Sequence, residues 1–64
     1  MMYDEYKEGQ SPRCPHCGCV QDGNAEDFVV PGFEAAWTDD ECYDCGEIFA
    51  VRRDRETLMY QVMQ

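Results

Sequence analysis

Two short segments that share one pattern constrain the fold of this chain more than any other feature. Each has two cysteines separated by two residues and followed by glycine, and the segments are Cys14–Gly18 and Cys42–Gly46. Two cysteines at this spacing can direct both thiolates to one side of a tight turn, and glycine after the second permits the positive φ angle that such a turn needs. Two such turns supply the four ligands of a tetrahedral metal site. The spacing therefore predicts one metal ion, held by Cys14, Cys17, Cys42 and Cys45.

The length of the chain makes a stabilising metal the expectation. The 64 residues suffice for one domain, and a hydrophobic core of that size rarely supplies more than about 3–5 kcal/mol. The start of the sequence is charged and lacks the apolar stretch of a signal peptide, and no apolar run is long enough to span a membrane. We therefore expect a cytoplasmic protein with no membrane association, in which the cysteines stay reduced and bind metal.

The sequence divides into a lead-in and one domain. Residues 1–11 are polar and acidic and are expected to be a flexible lead-in, whereas residues 12–64 are expected to form a single domain. Between the cysteine pairs, residues 21–27 have the composition of an exposed loop, and residues 28–30 form a short apolar run typical of a strand. The turn sequence Pro31–Gly32 closes that run.

The C-terminal part of the chain favours two strands. Residues 47–53 alternate in a way typical of a strand, with Phe49 and Val51 on one face. Residues 55–63 fit two structures, a strand that returns as a hairpin or a helix with Asp54 as its N-cap. We favour the strand because hairpins suit this class of metal site, but the periodicity leaves the helix open.

The net charge of −9 narrows the possible partners. The acids are concentrated in residues 1–51, whereas Arg52, Arg53 and Arg55 form the one basic cluster, which we expect to be a solvated hairpin tip. A chain with this charge repels phosphate backbones, so direct binding to DNA or RNA is disfavoured. A basic surface on another protein is the expected partner, and the sequence does not indicate an oligomeric state.

The segments CPHCG and CYDCGEIF resemble the zinc-ribbon family, and the resemblance spans residues 12–53. It implies a small, metal-stabilised, mostly β fold in which two cysteine turns, called knuckles, each lead into a β-hairpin. It also implies that Cys14, Cys17, Cys42 and Cys45 hold one structural Zn²⁺ that is fully coordinated. Because zinc ribbons serve many different processes, the resemblance leaves the function open.

A second resemblance, to rubredoxins, implies iron in the same four-cysteine site and a role in electron transfer. Rubredoxins are also small, acidic and built on two knuckles, and the run Val30–Glu34 ahead of Trp37 is similar to the segment before their second knuckle. The chain departs from them at Cys19–Gln21, where rubredoxins have aromatic residues, and at Tyr43, where they have proline. Iron is therefore kept as the alternative to zinc.

Three further sets of residues have simpler interpretations. His16 lies inside the first knuckle and is expected to face solvent, because four thiolates already complete a tetrahedral site. Cys19 is expected to be a small buried residue. The aromatic side chains are expected to form most of the small core beside the metal; they are Phe28, Phe33, Trp37, Tyr43, Phe49 and Tyr60.

These observations predict a non-enzymatic interaction module or small regulator. Four thiolates leave no open position on the metal for a hydrolytic water, and the sequence has no nucleophile–histidine–acid set and no phosphate-binding glycine loop. We expect the acidic surface to bind a basic protein, and the zinc-ribbon resemblance suggests a partner in the transcription or nucleic-acid machinery. The alternatives are a rubredoxin-like electron carrier and a zinc ribbon that binds nucleic acid directly.

Overall fold

A four-stranded antiparallel sheet forms the centre of the computed structural model, which describes residues 4–63. The strands are β1 (Asp4–Tyr6), β2 (Thr38–Glu41), β3 (Ile48–Arg53) and β4 (Tyr60–Met63), and they lie in the order β1-β4-β3-β2. One short 3₁₀ helix, Ala25–Phe28, lies between the knuckles. No helix within residues 4–63 has the length and apolar character needed to span a membrane. The predicted small, mostly β fold class is confirmed.

The core lies where β3 and β4 pair. Phe49 and Val51 of β3 are 1% and 0% exposed, and Val62 of β4 lies opposite Val51 at 1%. The ring of Phe28 packs against the ring of Phe49, with 6.1 Å between the two centroids. Phe49 and Val51, which the alternation places on one face of β3, are therefore both buried, and Ala50 of the other face is buried as well. Full burial of a large apolar side chain of this kind stabilises a fold by about 1.5–3 kcal/mol.

Strand β4 decides between the two structures that the sequence allows for residues 55–63. Tyr60 and Val62 are buried at alternate positions, and β4 pairs with β1 on one side and with β3 on the other. A central strand completes the backbone hydrogen bonds of both neighbours, which a helix at this place could not do. The favoured strand is therefore confirmed for residues 60–63, whereas Leu58 lies in the preceding turn and is exposed.

Two segments differ from the sequence predictions because tertiary contacts override local composition. Strand β1 lies within the predicted flexible lead-in, where it completes the hydrogen bonding of β4 and forms one edge of the sheet. Residues 21–30 contain the 3₁₀ helix where the sequence predicts an exposed loop followed by a strand. Ala25 of that helix is fully buried, and its N–H donates to the carbonyl of Gln10 at 2.8 Å. The ordered sheet therefore begins before residue 12.

The aromatic side chains do not all join the core. Phe49 and Tyr60 are buried, and Trp37 is half-buried. Phe33 and Tyr43 are 70% and 67% exposed, so the prediction of a core position is wrong for these two. Phe33 lies in the loop between the 3₁₀ helix and β2, and Tyr43 lies in the second knuckle.

The turn between β3 and β4 is closed without a metal. The N–H of Asp54 donates to the carbonyl of Met59 at 2.8 Å, and the N–H of Leu58 donates to the carbonyl of Asp54 at 2.9 Å. The Asp54 carboxylate accepts from the N–H of Glu56 at 3.1 Å and from the hydroxyl of Thr57 at 3.2 Å. Leu58 has a φ of 60°, the one positive value at a non-glycine residue in the described part of the chain. A residue with a Cβ atom is strained there by about 1–2 kcal/mol.

We expect Leu58→Gly to raise the free energy of unfolding of the metal-loaded protein by about 0.5–1 kcal/mol. Glycine adopts a positive φ without strain, and the deleted side chain is already 54% exposed. Chemical denaturation of the two proteins measures the difference. Glu56→Gly is the control in the same turn, because Glu56 has no positive φ and glycine should lower stability there. Equal losses from both variants would contradict strain at Leu58.

Candidate metal centre

The four cysteine sulfurs singled out by the sequence meet at one place in the structure. All four Sγ atoms lie within 4.8 Å of one another, with 3.7 Å between those of Cys14 and Cys45 and 3.8 Å between those of Cys17 and Cys42. A tetrahedral metal with bonds of about 2.3 Å to sulfur needs sulfur–sulfur distances of about 3.8 Å. The four cysteines are therefore positioned to bind one metal ion, and an all-sulfur donor set suits Zn²⁺ and iron alike.

Two knuckles with the same backbone hydrogen bonds present these sulfurs. In the first, Cys14 donates its N–H to the carbonyl of Cys19 at 2.9 Å, and its own carbonyl accepts from the N–H of Gly18 at 2.8 Å. In the second, Cys42 makes the equivalent pair of bonds, both at 2.9 Å, and Gly46 is the donor to its carbonyl. The two glycines have φ angles of 78° and 77°, which explains why glycine occupies this position in both knuckles.

The site lies at the boundary between the core and the solvent. Cys14 and Cys42, the first cysteine of each knuckle, are both 1% exposed and belong to the hydrophobic core cluster. Cys17 and Cys45, the second of each knuckle, are exposed. Because the second knuckle connects β2 directly to β3, a bound metal would join that hairpin to the N-terminal third of the chain.

Four thiolates at these distances cannot all stay charged without a cation. Two like charges about 4 Å apart repel by roughly 4 kcal/mol at the effective dielectric constant near a protein surface. The N–H of Cys45 and then the N–H of Asp44 lower the pKa of Cys42 to about 6. The N–H of Cys19 lowers the pKa of Cys17, but desolvation and the neighbouring sulfurs outweigh it and raise that pKa to about 12. A metal cation is therefore needed to hold the whole set as thiolates.

Gln21 supplies a side-chain contact to the site that sequence reasoning missed. The residue is 4% exposed, and its Nε2 donates to the carbonyl of Cys19 at 3.0 Å and to Sγ of Cys42 at 3.4 Å. The amide thus connects the segment after the first knuckle to a ligand of the second. The surrounding composition is that of an exposed loop, so no local pattern indicates that Gln21 points inward.

Two hydrogen bonds join the knuckles to each other. His16 Nε2 lies 2.9 Å from the carbonyl oxygen of Ile48, which places the ring proton on Nε2, and the hydroxyl of Tyr43 donates to the carbonyl of Val20 at 3.1 Å. His16 is exposed and lies outside the sulfur cluster, as the sequence predicts. Cys19 also lies outside the cluster, but it is half-buried rather than buried, and its Sγ donates to the Tyr43 oxygen at 3.3 Å.

The β3–β4 turn repeats the backbone path of a knuckle with different chemistry. Asp54 and Leu58 make the same two backbone hydrogen bonds as the first cysteine and the glycine of a knuckle. Asp54 and Thr57 occupy the positions of the two cysteines, and their side chains bond to each other at 3.2 Å. The N–H of Met59 donates to Thr57 Oγ1 at 3.3 Å, as the equivalent N–H donates to the second sulfur of each knuckle. A hydroxyl–carboxylate bond thus takes the place of the metal.

Comparison with protein-family models, with curated proteins and with solved structures finds no match to this chain. The geometry is consistent with the zinc-ribbon resemblance, because four cysteines lie within metal-binding distance in a small, mostly β fold. Membership of that family stays a prediction.

We expect Gln21→Leu to weaken metal binding by about 10- to 100-fold, the usual effect of removing a group that supports a metal ligand. Leucine fills a similar volume but cannot donate a hydrogen bond to Cys42. Competition with a chromophoric chelator measures the affinity. Gln10→Leu is the control, because the side chain of Gln10 is exposed and accepts only from the N–H of Lys7. An unchanged affinity in Gln21→Leu would show that the site does not depend on this amide.

Proposed function

We propose that this protein is a non-enzymatic, zinc-stabilised module that binds a basic surface of a partner protein through its acidic residues. The observation that supports it best is the lack of internal counter-charges. The chain has a net charge of −9, and within residues 4–63 no ion pair joins a carboxylate to a lysine or an arginine. A basic partner would supply the positive charges that the fold itself does not bring to its acids.

The carboxylates that do have partners bond to neutral donors. Glu26 accepts from the N–H of Gly9 at 2.9 Å, and Glu34 accepts from the N–H of Gly32 at 2.8 Å. Such bonds orient a carboxylate but leave its negative charge in place. The acidic potential of the surface is therefore available to a partner at physiological pH.

Strand β2 concentrates this charge at one edge of the sheet. Asp39, Asp40 and Glu41 follow one another along it, and the residues opposite them on β3, 48–50, are apolar. Burial, and then the charge of Asp39, raise the pKa of Asp40 to about 6, and one oxygen of Asp40 is buried without a hydrogen-bond partner. A cation from a partner would favour the ionised form of Asp40. Because β2 is an edge strand, a basic extended segment could also pair with its backbone.

The four-sulfur site supports a structural role for the metal. Four thiolates fill every position of a tetrahedral ion, so neither water nor a substrate could bind it without displacing a ligand. A structural zinc contributes roughly 10–16 kcal/mol of apparent binding free energy to folding. That free energy is large compared with the contribution of the core, which contains few large, fully buried apolar side chains. We therefore propose that zinc stabilises the fold that presents the acidic surface.

Purified protein is expected to be colourless and to contain one zinc ion per chain. A strong chelator should remove the zinc and unfold the protein. Without zinc the thiolates repel one another, and the small core alone does not stabilise the fold. Elemental analysis gives the stoichiometry, and the dispersion of a ¹⁵N–¹H NMR spectrum before and after chelation reports folding. A dispersed spectrum in the metal-free protein would contradict a structural role.

The second candidate is a rubredoxin-like iron protein for electron transfer. The exposure of Cys17 and Cys45 favours it, since two solvent-facing ligands give a redox partner a short path to the metal. This candidate predicts a red protein with a reversible one-electron couple, and the elemental analysis described above separates the two metals directly.

The cytoplasmic location and a partner in the transcription or nucleic-acid machinery belong to the proposal through the sequence and its zinc-ribbon resemblance. Direct binding to nucleic acid has less support. Arg52 bonds to Gln61 at 2.9 Å and lies over the ring of Trp37, so one of the three clustered arginines is occupied within the fold.

We expect the triple variant Asp39→Asn, Asp40→Asn, Glu41→Gln to bind a lysine- and arginine-rich peptide at least tenfold more weakly than the unaltered protein. The affinity of the unaltered protein should fall as salt is raised, because exposed charges are screened beyond about 10 Å at 0.1 M salt. Isothermal titration calorimetry at two salt concentrations measures both effects.

The matched control neutralises three acids near the other edge of the sheet, through Asp4→Asn, Glu5→Gln and Glu8→Gln. It has the same net charge as the β2 variant, so a much smaller loss of affinity is expected. Equal losses of affinity in both variants would mean that peptide binding depends only on the net charge of the protein. Binding that is insensitive to salt would contradict the acidic surface as the contact.

A further inference from the structure

A cleft of about 360 Å³ lies between the loop of residues 32–36 and the end of β3 with its turn, residues 53–55. None of these residues is a metal ligand. A second hollow of similar volume adjoins it and shares residues 53–55 as a wall. The cleft is large enough for a small ligand or for one terminus or side chain of a peptide, at the lower end of the usual range of roughly 300–1,000 Å³.

Backbone hydrogen bonds fix both walls of the cleft. The N–H of Arg53 donates to the carbonyl of Glu34 at 2.6 Å and attaches the loop to β3. The loop itself contains two turns, in which Phe33 donates to the carbonyl of Val30 at 2.9 Å and Ala36 donates to the carbonyl of Phe33 at 3.0 Å. The cleft is therefore pre-formed rather than dependent on a ligand.

The carboxylates that line the cleft are hydrogen-bonded within their own turns. Glu34 Oε2 accepts from the N–H of Gly32 at 2.8 Å. Both oxygens of Asp54 are engaged, Oδ1 by the N–H of Glu56 and Oδ2 by the hydroxyl of Thr57. These hydrogen bonds fix the orientation of the two carboxylates within their own turns.

The guanidinium groups that line the cleft form no ion pair with a carboxylate within residues 4–63, although the charge of Arg53, after the N–H of Gly32, helps to lower the pKa of Glu34. Arg53 Nε is buried and has no hydrogen-bond partner, and the central carbon of its guanidinium lies 6.0 Å from the centroid of the Tyr60 ring. Arg55 is exposed and has no hydrogen bond or ion pair within residues 4–63. Buried donors are normally satisfied, so the unpaired guanidinium groups of Arg53 and Arg55 are unused donors in the lining of the cleft.

We propose that this cleft binds a carboxylate group that carries an apolar or aromatic body, as in a free aryl carboxylic acid or the C-terminal residue of a peptide. Arg53 and Arg55 hold the carboxylate, since a guanidinium matches its two oxygens with two parallel hydrogen bonds. Phe33, which is 70% exposed, and Ala35 cover the apolar body. The site is independent of the acidic β2 edge, and its failure would leave the proposed function untouched.

Charge selects a monoanion over a phosphate dianion. Arg53 and Arg55 are balanced in the cleft by Glu34 and Asp54, so no excess positive charge is present to offset a second negative charge. The net charge of −9 repels a dianion about twice as strongly as a monoanion, because the Coulomb energy scales with ligand charge. A carboxylate with an apolar body gains from both the guanidinium groups and the exposed ring.

The test is an NMR titration of ¹⁵N-labelled, metal-loaded protein with 3-phenylpropionate, acetate, inorganic phosphate and the uncharged 3-phenylpropionamide. A short peptide ending in phenylalanine, as the free acid and as the amide, distinguishes a peptide C-terminus from a free acid. We expect 3-phenylpropionate or the free-acid peptide to shift the amide NMR signals of residues 32–36 and 53–55. The one that binds more tightly shows whether the natural ligand is a free acid or a peptide C-terminus. Equal shifts from the uncharged amides, tighter binding of phosphate, or shifts spread over the whole protein would overturn the proposal.

Arg55→Ala should weaken binding of the better carboxylate at least tenfold, and this variant is not expected to disturb the fold because Arg55 is exposed and has no hydrogen bond or ion pair within residues 4–63. Lys7→Ala is the matched control, which removes one positive charge outside the cleft and should change the affinity less than twofold. Phe33→Ala should weaken 3-phenylpropionate but leave acetate unchanged. Equal losses in Arg55→Ala and Lys7→Ala would show a general charge effect and would reject the site.

Discussion

The repulsion among four sulfurs within 4.8 Å of one another is the constraint on which the rest of this structure depends. The knuckles bring N–H donors to the sulfurs, yet this is enough to lower the pKa of Cys42 while that of Cys17 rises. A bound metal cation would remove the conflict and at the same time tie Cys14, near the start of the chain, to the β2–β3 hairpin. Without it, the sheet would depend on a core in which Phe49, Val51 and Val62 are the largest fully buried apolar side chains outside the site.

The β3–β4 turn shows that the knuckle path and the metal are separable. Asp54 and Thr57 close the same backbone loop through a direct side-chain bond, and Leu58 accepts the positive φ that glycine takes in the other two turns. Strain at Leu58 is opposed there by the paired strands β3 and β4 and by the bond between Asp54 and Thr57. At the metal site no such side-chain bond is possible, because two thiolates repel each other. There, glycine allows the positive φ of the turn, and a metal cation would hold the two sulfurs together.

The sequence could predict what is encoded locally. Cysteine spacing identified the four cysteines whose sulfurs meet, and alternation placed Phe49 and Val51 on one face of β3, because both patterns are complete within a few residues. The contact of Gln21 with Cys42 and the strand at 4–6 depend on partners far along the chain, so no local pattern could reveal them. Strand β2 is the clearest case. Its sequence, TDDE, has poor strand propensity, and it is extended because the second knuckle places it antiparallel to β3.

The length of β3 allows an acidic surface and a carboxylate-binding cleft to exist in one small protein. The strand begins beside the second knuckle and ends at Arg53, and its six residues span about 17 Å at roughly 3.4 Å per residue. Four thiolates with the proposed Zn²⁺ would carry two negative charges at the first end. Since exposed charges are screened beyond about 10 Å at 0.1 M salt, that negative field is weak at the arginines. The four sulfurs and the arginines of the cleft thus lie at opposite ends of β3, and a metal bound at one end does not oppose an anion at the other.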